Sequence, residues 1–136
     1  MANGRWLVLL ALGCGGPRSS VDTAQVCLSG EDTGGAPLSL VAGDAVELTA
    51  TAGGGCHMAD FDVSCEVVLE DPSTLVVTTE TTWVRTEPLA LGCELIALIA
   101  RATCNSPPLP EGSYTIRYGE GSLSFEVPGE VAGCVE

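Results

Sequence analysis

Residues 61–70 are Phe-Asp-Val-Ser-Cys-Glu-Val-Val-Leu-Glu, a stretch in which apolar and polar side chains alternate. The apolar positions are Phe61, Val63, Cys65, Val67 and Leu69, and the polar positions are Asp62, Ser64, Glu66 and Glu70, with Val68 as the one exception. Successive side chains of a β-strand point to opposite faces of a sheet. This period of two therefore predicts a strand with one face in a core and the other in water.

The same alternation recurs on both sides of this stretch. The positions predicted to face inward are Leu38, Leu40, Val46, Leu48, Ala50, Tyr114, Ile116, Tyr118, Leu123, Phe125 and Val127. Glu47 and Thr49 are predicted to face outward. Gly43-Asp44 predicts a turn, and residues 119–122 predict a tight hairpin. Residues 74–86 are rich in β-branched Thr and Val, which favours a strand over a helix.

Residues 93–104 are ambiguous because they are almost continuously apolar. Leu and Ala favour a helix, whereas the neighbouring segments are all predicted strands and an antiparallel sheet needs a partner for each strand. We therefore favour a strand here. Its inward positions would be Ile96, Leu98, Ala100, Ala102 and Cys104, with Arg101 and Thr103 outward.

Several short strands with frequent turns predict an all-β fold, an antiparallel β-sandwich of about seven strands over residues 37–129. The segment from Leu109 to Ile116 resembles the corner before the penultimate strand of many bacterial immunoglobulin-like domains, where Leu109, Gly112 and Tyr114 match the pattern, and this resemblance implies an immunoglobulin-like β-sandwich. The run from Cys104 to Pro128 is similar to small, cysteine-rich bacterial lipoproteins of unassigned function. The Cys-Trp-Cys order of antibody domains is absent, and the resemblance implies no activity.

The N-terminus has the pattern of a secretory signal: a single Arg5, a short apolar run from Trp6 to Leu12, and small residues after it. Residues 11–14, Ala-Leu-Gly-Cys, resemble the lipobox of bacterial lipoproteins, in which the cysteine is acylated and the bond before it is cut. The resemblance implies a signal peptide over 1–13 and lipidation of Cys14. The family usually has Leu where Ala11 stands, so cleavage by ordinary signal peptidase, which would release a soluble protein, is the alternative.

The residues after Cys14 differ in composition from the predicted strands. Residues 14–36 are rich in Gly, Pro, Ser and Thr, which predicts a lipidated N-terminus followed by a flexible tether. Residues 130–136 are expected to form a tail held through Cys134. Gly15 after the lipobox cysteine resembles lipoproteins that are sent to the outer membrane, which implies the cell envelope, and the outer membrane rather than the inner.

The chain has 7 cysteines, so lipidation of Cys14 would leave an even number for disulfides. We predict three pairs: Cys65 with Cys104, on inward faces of different strands; Cys56 with Cys93; and Cys27 with Cys134, which would tie the ends of the domain. The last would close a long loop and stabilise the fold by about 4 to 5 kcal/mol. A local pair of Cys56 with Cys65 is the main alternative.

The charge balance excludes several functions. The formal net charge is −13, with 18 acidic side chains against 5 arginines and no lysine, so nucleic acid is not an expected partner. The single histidine, His57, excludes a metal site built on two histidines. Cysteine at this density in a small chain is typical of an oxidising compartment.

The candidate chemical residues lie around His57. Cys56, His57 and Asp60 could bind zinc, but the usual cysteine spacing is missing and a polar loop with one cystine is the simpler interpretation. Asp60, Asp62, Ser64 and Asp71 match part of a calcium-loop pattern, which fails where Cys65 replaces its glycine. We therefore predict no metal and no cofactor, and we find no catalytic constellation. Trp83 could pack at the core or its rim, or stack on a ligand if exposed.

These observations predict a lipid-anchored envelope protein that acts as a non-catalytic binding or structural module. Its expected partners are the membrane, through acylated Cys14, and an envelope protein or the cell wall. The alternative is a divergent envelope hydrolase or metal-dependent enzyme that uses His57 and nearby carboxylates. A passive envelope component without a ligand is the third possibility.

Overall fold

A computed structural model describes residues 17–28, 37–55, 58–85 and 98–135. These ranges contain strands and turns and no helix. The strands are β1 (Pro17–Val21), β2 (Gln25–Cys27), β3 (Leu38–Leu40), β4 (Glu47–Gly54), β5 (Met58–Asp71), β6 (Thr74–Arg85), β7 (Leu98–Asn105), β8 (Gly112–Tyr118), β9 (Gly121–Val127), β10 (Gly129–Val131) and β11 (Cys134–Val135). The prediction of an all-β fold is confirmed.

Strand β6 is the centre of the larger sheet. β5 pairs along one edge of β6, while the other edge is shared by β1, which pairs with residues 80–84, and β8, which pairs with residues 74–77. β9 then pairs with β8 across a two-residue turn at Gly119-Glu120, where Gly119 has a φ of +56°. The tight hairpin predicted at residues 119–122 is therefore confirmed.

A second sheet has the strand order β11-β2-β4-β7, and β3 and β10 form a separate two-stranded ribbon. The strand pairs of the described ranges are antiparallel, except that β6 and β8 run parallel. The apolar faces of both sheets contribute to one core. Its largest fully buried side chains include Val26, Leu28, Val46, Leu48, Leu75, Val77, Leu109 and Ile116.

The fold reaches into the segment that composition marks as a tether. β1 pairs with β6, and β2 pairs with both β4 and β11, so residues 17–28 belong to the sheets. The reason is a short alternation in which Ala24, Val26 and Leu28 are buried. At the other end, Val131 and Val135 are buried in β10 and β11. These flanking strands raise the number above the expected seven.

The ambiguous segment forms a strand where the structure describes it. β7 pairs with β4 along its whole length, from Glu47 opposite Asn105 to Gly54 opposite Leu98. Leu98, Ala100, Ala102 and Cys104 lie on the more buried face and Arg101 and Thr103 are exposed, as predicted. Ile96 lies outside the described residues.

Thr49 was predicted to face water and is instead buried, with 8% of its surface exposed. β4 is an inner strand of its sheet, and Thr49 lies between Cys27 on one neighbouring strand and Thr103 on the other. Directly opposite residues of an antiparallel pair share a face, so these side chains flank the threonine. The alternation along β4 alone could not predict that the two neighbouring strands bury Thr49.

Within the described ranges, two disulfides link strands of the sheets. Cys65–Cys104 links β5 to β7 and so joins the two sheets, whereas Cys27–Cys134 links directly opposite residues of β2 and β11. Both are pairs that the sequence analysis favours, and the alternative pair of Cys56 with Cys65 is wrong because Cys65 is bonded to Cys104. The expected pair of Cys56 with Cys93 lies outside the described residues.

A corner before β8 carries the chain from the second sheet to the larger one. Leu109 is fully buried there, and its backbone is held by Gly43 N–H donating to Leu109 O (2.8 Å) and Leu109 N–H donating to Asp44 O (3.0 Å). The Tyr114 hydroxyl donates to Pro110 O at 2.6 Å, and its ring stacks on Phe125 with the centroids 5.6 Å apart. This arrangement, a tyrosine bonded to the backbone just upstream, resembles the tyrosine corner of immunoglobulin-like sandwiches.

We expect the Tyr114→Phe substitution to lower the free energy of unfolding by about 1 kcal/mol, because it removes one hydrogen bond and keeps the buried ring. Urea unfolding monitored by circular dichroism measures the difference. Thr115→Val is a matched control on the same strand, since the Thr115 hydroxyl forms a long hydrogen bond of 3.4 Å with Ser124 of β9. A Tyr114→Phe protein as stable as the natural chain would contradict a structural role for this corner.

Candidate functional site

One end of the larger sheet combines cationic and apolar side chains. Here β1 begins, β6 ends and β5 begins, so that Pro17 lies opposite Val84, Arg18 opposite Trp83, and Met58 opposite Arg85. We call this group, formed by Arg18, Met58, Trp83 and Arg85, the β1 end. Because β1, β6 and β5 lie side by side, the four side chains are on neighbouring strands.

Burial falls off toward the β1 end. On β6, Leu75, Val77, Thr79 and Thr81 are all buried on the core face, and Trp83 continues this face but is only half-buried. Arg18 and Arg85 are exposed, and Met58 is half-buried. Trp83 is therefore at the rim of the core rather than within it. Its cross-strand neighbour is Arg18, and opposite residues in an antiparallel pair share a face.

A β-bulge in β5 shapes the same region. The pairing of β5 with β6 shifts between Ala59 and Asp62, and Asp60 within the bulge has a φ of +50°. The bulge places the ring of Phe61 against the backbone of Gly54, where an added Cβ would lie 2.9 Å from the ring. The last residues of β4 thus lie beside the β1 end.

The contact between Phe61 and Gly54 also locates Ile99. Gly53 is paired with Ile99 on β7, and 63% of the surface of Ile99 is exposed. Ile99 lies on the outer face of the second sheet, because Leu98 and Ala100 lie on the inner face of β7, so its side chain is not part of the β1 end. The sequence singles out Trp83 alone in this group, since a half-buried methionine in a strand gives no functional signal by itself.

The charges are distributed unevenly along the sheets. The β1 end holds two of the 5 arginines of the chain, and Asp60 in the bulge adds one negative charge. The opposite end contains the turns and strand ends that are rich in carboxylates: Asp44, Glu47, Glu70, Asp71, Glu111 and Glu130. Arg117, farther toward that end, is paired with Glu70 at 2.6 Å.

The candidate calcium ligands are not brought together. Asp60, Asp62 and Ser64 lie near the start of β5, whereas Asp71 lies at its end, about 30 Å from Asp62 along an extended strand. Asp71 accepts hydrogen bonds from the N–H and hydroxyl of Ser73, at 2.8 and 3.1 Å, and these bonds lower the pKa of its carboxyl group. Within the described ranges, no three metal-ligating side chains cluster.

The other residues singled out by sequence analysis lie outside the described residues. These are Cys14, Cys56, His57 and Cys93. The proposed zinc group of Cys56, His57 and Asp60 can be placed only through Asp60, which is exposed in β5.

Two shallow grooves lie on the larger sheet. One, of about 500 Å³, is lined by Val21, Ser64, Glu66, Thr78 and Glu80 among others. The other, of about 440 Å³, lies over β8 and β9 and is lined by side chains that include Ser73, Ser113, Thr115, Ser124 and Glu126. Hydroxyls and carboxylates in open grooves can form hydrogen bonds with a polar ligand.

Comparison of the chain with protein-family models, curated proteins and solved structures finds no significant match. Among the described residues, no helix is long and apolar enough to cross a membrane.

We expect Gly54→Ala to destabilise the fold by about 1 to 3 kcal/mol, because the new methyl group would force the Phe61 ring away from β4. Gly53→Ala is the matched control, since an added Cβ there would meet nothing within 4 Å. Thermal unfolding of the two variants tests this contact. Equal stability of the Gly54→Ala and Gly53→Ala proteins would contradict the packing of the bulge on β4.

Proposed function

We propose that this chain is a lipid-anchored protein of the bacterial envelope that serves as a non-catalytic binding or structural module. The anchor would be Cys14, acylated after removal of residues 1–13. The outer membrane is the proposed location, in keeping with Gly15 after the lipobox cysteine. The cell wall or another envelope protein would be the further partner.

The observation that carries the proposal is the pairing of the cysteines. Four of the 7 cysteines are joined in two disulfides, which supports an oxidising compartment. A bond between Cys56 and Cys93 would use two more and leave Cys14 alone. An unpaired cysteine after an apolar leader is the residue that lipoprotein processing acylates, so parity and position favour the same role.

The surface supports binding more than catalysis. Both grooves are open and present hydroxyl and carboxylate groups beside the apolar Val21, Tyr114 and Phe125, which suits a partner such as a cell-wall polymer or a protein loop. In the groove over β8 and β9, long side-chain hydrogen bonds of 3.4 Å join Ser113 to Glu126 and Thr115 to Ser124.

Lipidation is tested by intact mass. We expect the full chain, expressed in a bacterium with an outer membrane and extracted with detergent, to begin at Cys14 and to carry the mass of a diacylglyceryl group. Cys14→Ser is expected to remain uncut, because the acylated thiol is required before cleavage. A mature natural chain without added lipid mass, found in the soluble fraction, would instead support release by ordinary signal peptidase.

The binding role is tested by affinity capture from detergent-solubilised envelope. We expect the natural protein and the His57→Ala variant to retain the same component in equal amounts, because the proposal assigns His57 no part in binding. If His57→Ala alone lost a chemical activity that the natural protein shows on envelope polymers, the enzyme alternative would replace this proposal.

A further inference from the structure

We propose that the β1 end is a membrane-docking surface that lies directly against the phospholipid headgroups. This inference rests on the proposed acylation of Cys14 and goes beyond it, because an anchor alone would allow the domain to hang at any orientation on a tether. The surface consists of Arg18, Trp83, Arg85 and Met58.

Only a short length of chain separates the proposed anchor from the fold. Pro17 is the third residue after Cys14, and it is already paired with Val84 in the larger sheet. A chain gains at most about 3.6 Å per residue, so Pro17 lies within about 11 Å of the acylated residue. The headgroup layer is itself several ångströms thick. The start of β1 must then lie at the membrane surface.

β1 is fixed to the body of the protein. It pairs with β6 over five residues, from Pro17 opposite Val84 to Val21 opposite Glu80. Immediately after it, Asp22 N–H donates to Thr79 O at 3.0 Å, while the Asp22 carboxylate accepts Thr79 N–H at 3.0 Å. This double contact continues the pairing past the end of β1. Whatever holds Pro17 at the membrane therefore orients the whole sheet.

The side chains at the β1 end are of the kinds that bind at a membrane surface. Trp is favoured at membrane interfaces because its ring is apolar while its N–H remains in the polar layer. Arg18 and Arg85 are exposed and can form bidentate hydrogen bonds with lipid phosphates. Met58 adds apolar area, whereas Asp60 opposes binding to an anionic surface. The carboxylate-rich opposite end would be repelled from the same lipids, which favours the same orientation.

Trp83 provides a direct measurement. The chain contains 2 tryptophans, and the other, Trp6, lies in the proposed leader. The acylated mature protein is reconstituted in phosphatidylcholine vesicles that contain phosphatidylglycerol, with and without brominated acyl chains. We expect the brominated lipid to reduce Trp83 emission at least about twofold, since an interfacial ring lies within reach of the bromines. Unchanged emission from protein whose mass shows acylation would overturn the inference.

Charge reversal identifies the side chains responsible. The double variant Arg18→Glu and Arg85→Glu should lose most of the quenching, while Arg117→Glu, far from the β1 end and paired with Glu70, should retain it. Melting temperature and disulfide content are measured for each variant, so that loss of the fold is distinguished from loss of docking. Equal quenching in the folded double variant and the control would contradict a role for the two arginines.

The same samples separate this inference from the proposed function. A chain without added lipid mass would refute the anchor itself. An acylated chain whose Trp83 is not quenched would refute only the docking surface and leave the envelope module in place. A further variant with a flexible Gly-Ser insertion between Gly16 and Pro17 removes the length constraint. If brominated lipid still quenches Trp83 emission in this acylated variant, the side chains themselves bind lipid. If the emission equals that in vesicles without bromine, that part of the proposal is contradicted.

Discussion

The edges of β6 determine how the larger sheet is assembled. One edge is occupied by β5 over most of its length, and the other is divided between β1 and β8, which approach from opposite directions. Between them, at Thr79, the side chain and backbone of Asp22 replace a strand. Unpaired backbone groups in a buried strand would each cost free energy, so the hydrogen bonds between Asp22 and Thr79 allow β1 and β8 to share one edge of β6. The sheet's shape, with β1 at one end and β8 at the other, follows from it.

The polar groups at this junction are held in a dry setting. The Thr79 and Tyr118 hydroxyls are 2.7 Å apart, and both residues are buried. Burial raises the pKa of the Tyr118 phenol, against the smaller effect of its bond to Thr79. The protonated phenol therefore favours the folded state up to the ordinary tyrosine pKa near 10, and this contribution declines as the pH rises through the higher value of the folded state. A small core with few aromatic rings also gains from cross-links, and Cys65–Cys104 joins its two sheets directly.

Period-two segments could be predicted because burial on one face leaves a visible pattern, as in β5 and in the hairpin of β8 and β9. The Cys65–Cys104 pair followed from two inward positions on different strands. β1, by contrast, has the sequence Pro-Arg-Ser-Ser-Val and no buried side chain, so its strand exists through backbone pairing with β6 alone. The parallel contact of β6 with β8 and the placement of Arg18 opposite Trp83 depend on that long-range pairing. No local pattern could have predicted them.

This difference explains why composition suggested a tether where the structure contains a strand. Gly, Pro, Ser and Thr indicate that a segment lacks a core of its own, and β1 indeed buries almost nothing. A sheet edge nevertheless pairs with any backbone that reaches it, whatever its side chains. A strand held in this way can be adjacent to a lipid anchor, since its exposed side chains are free to face headgroups. If the proposed anchor holds β1 at the membrane, the grooves on the larger sheet and the acidic turns at its far end would be left for a partner that offers hydrogen-bond donors to hydroxyls and carboxylates.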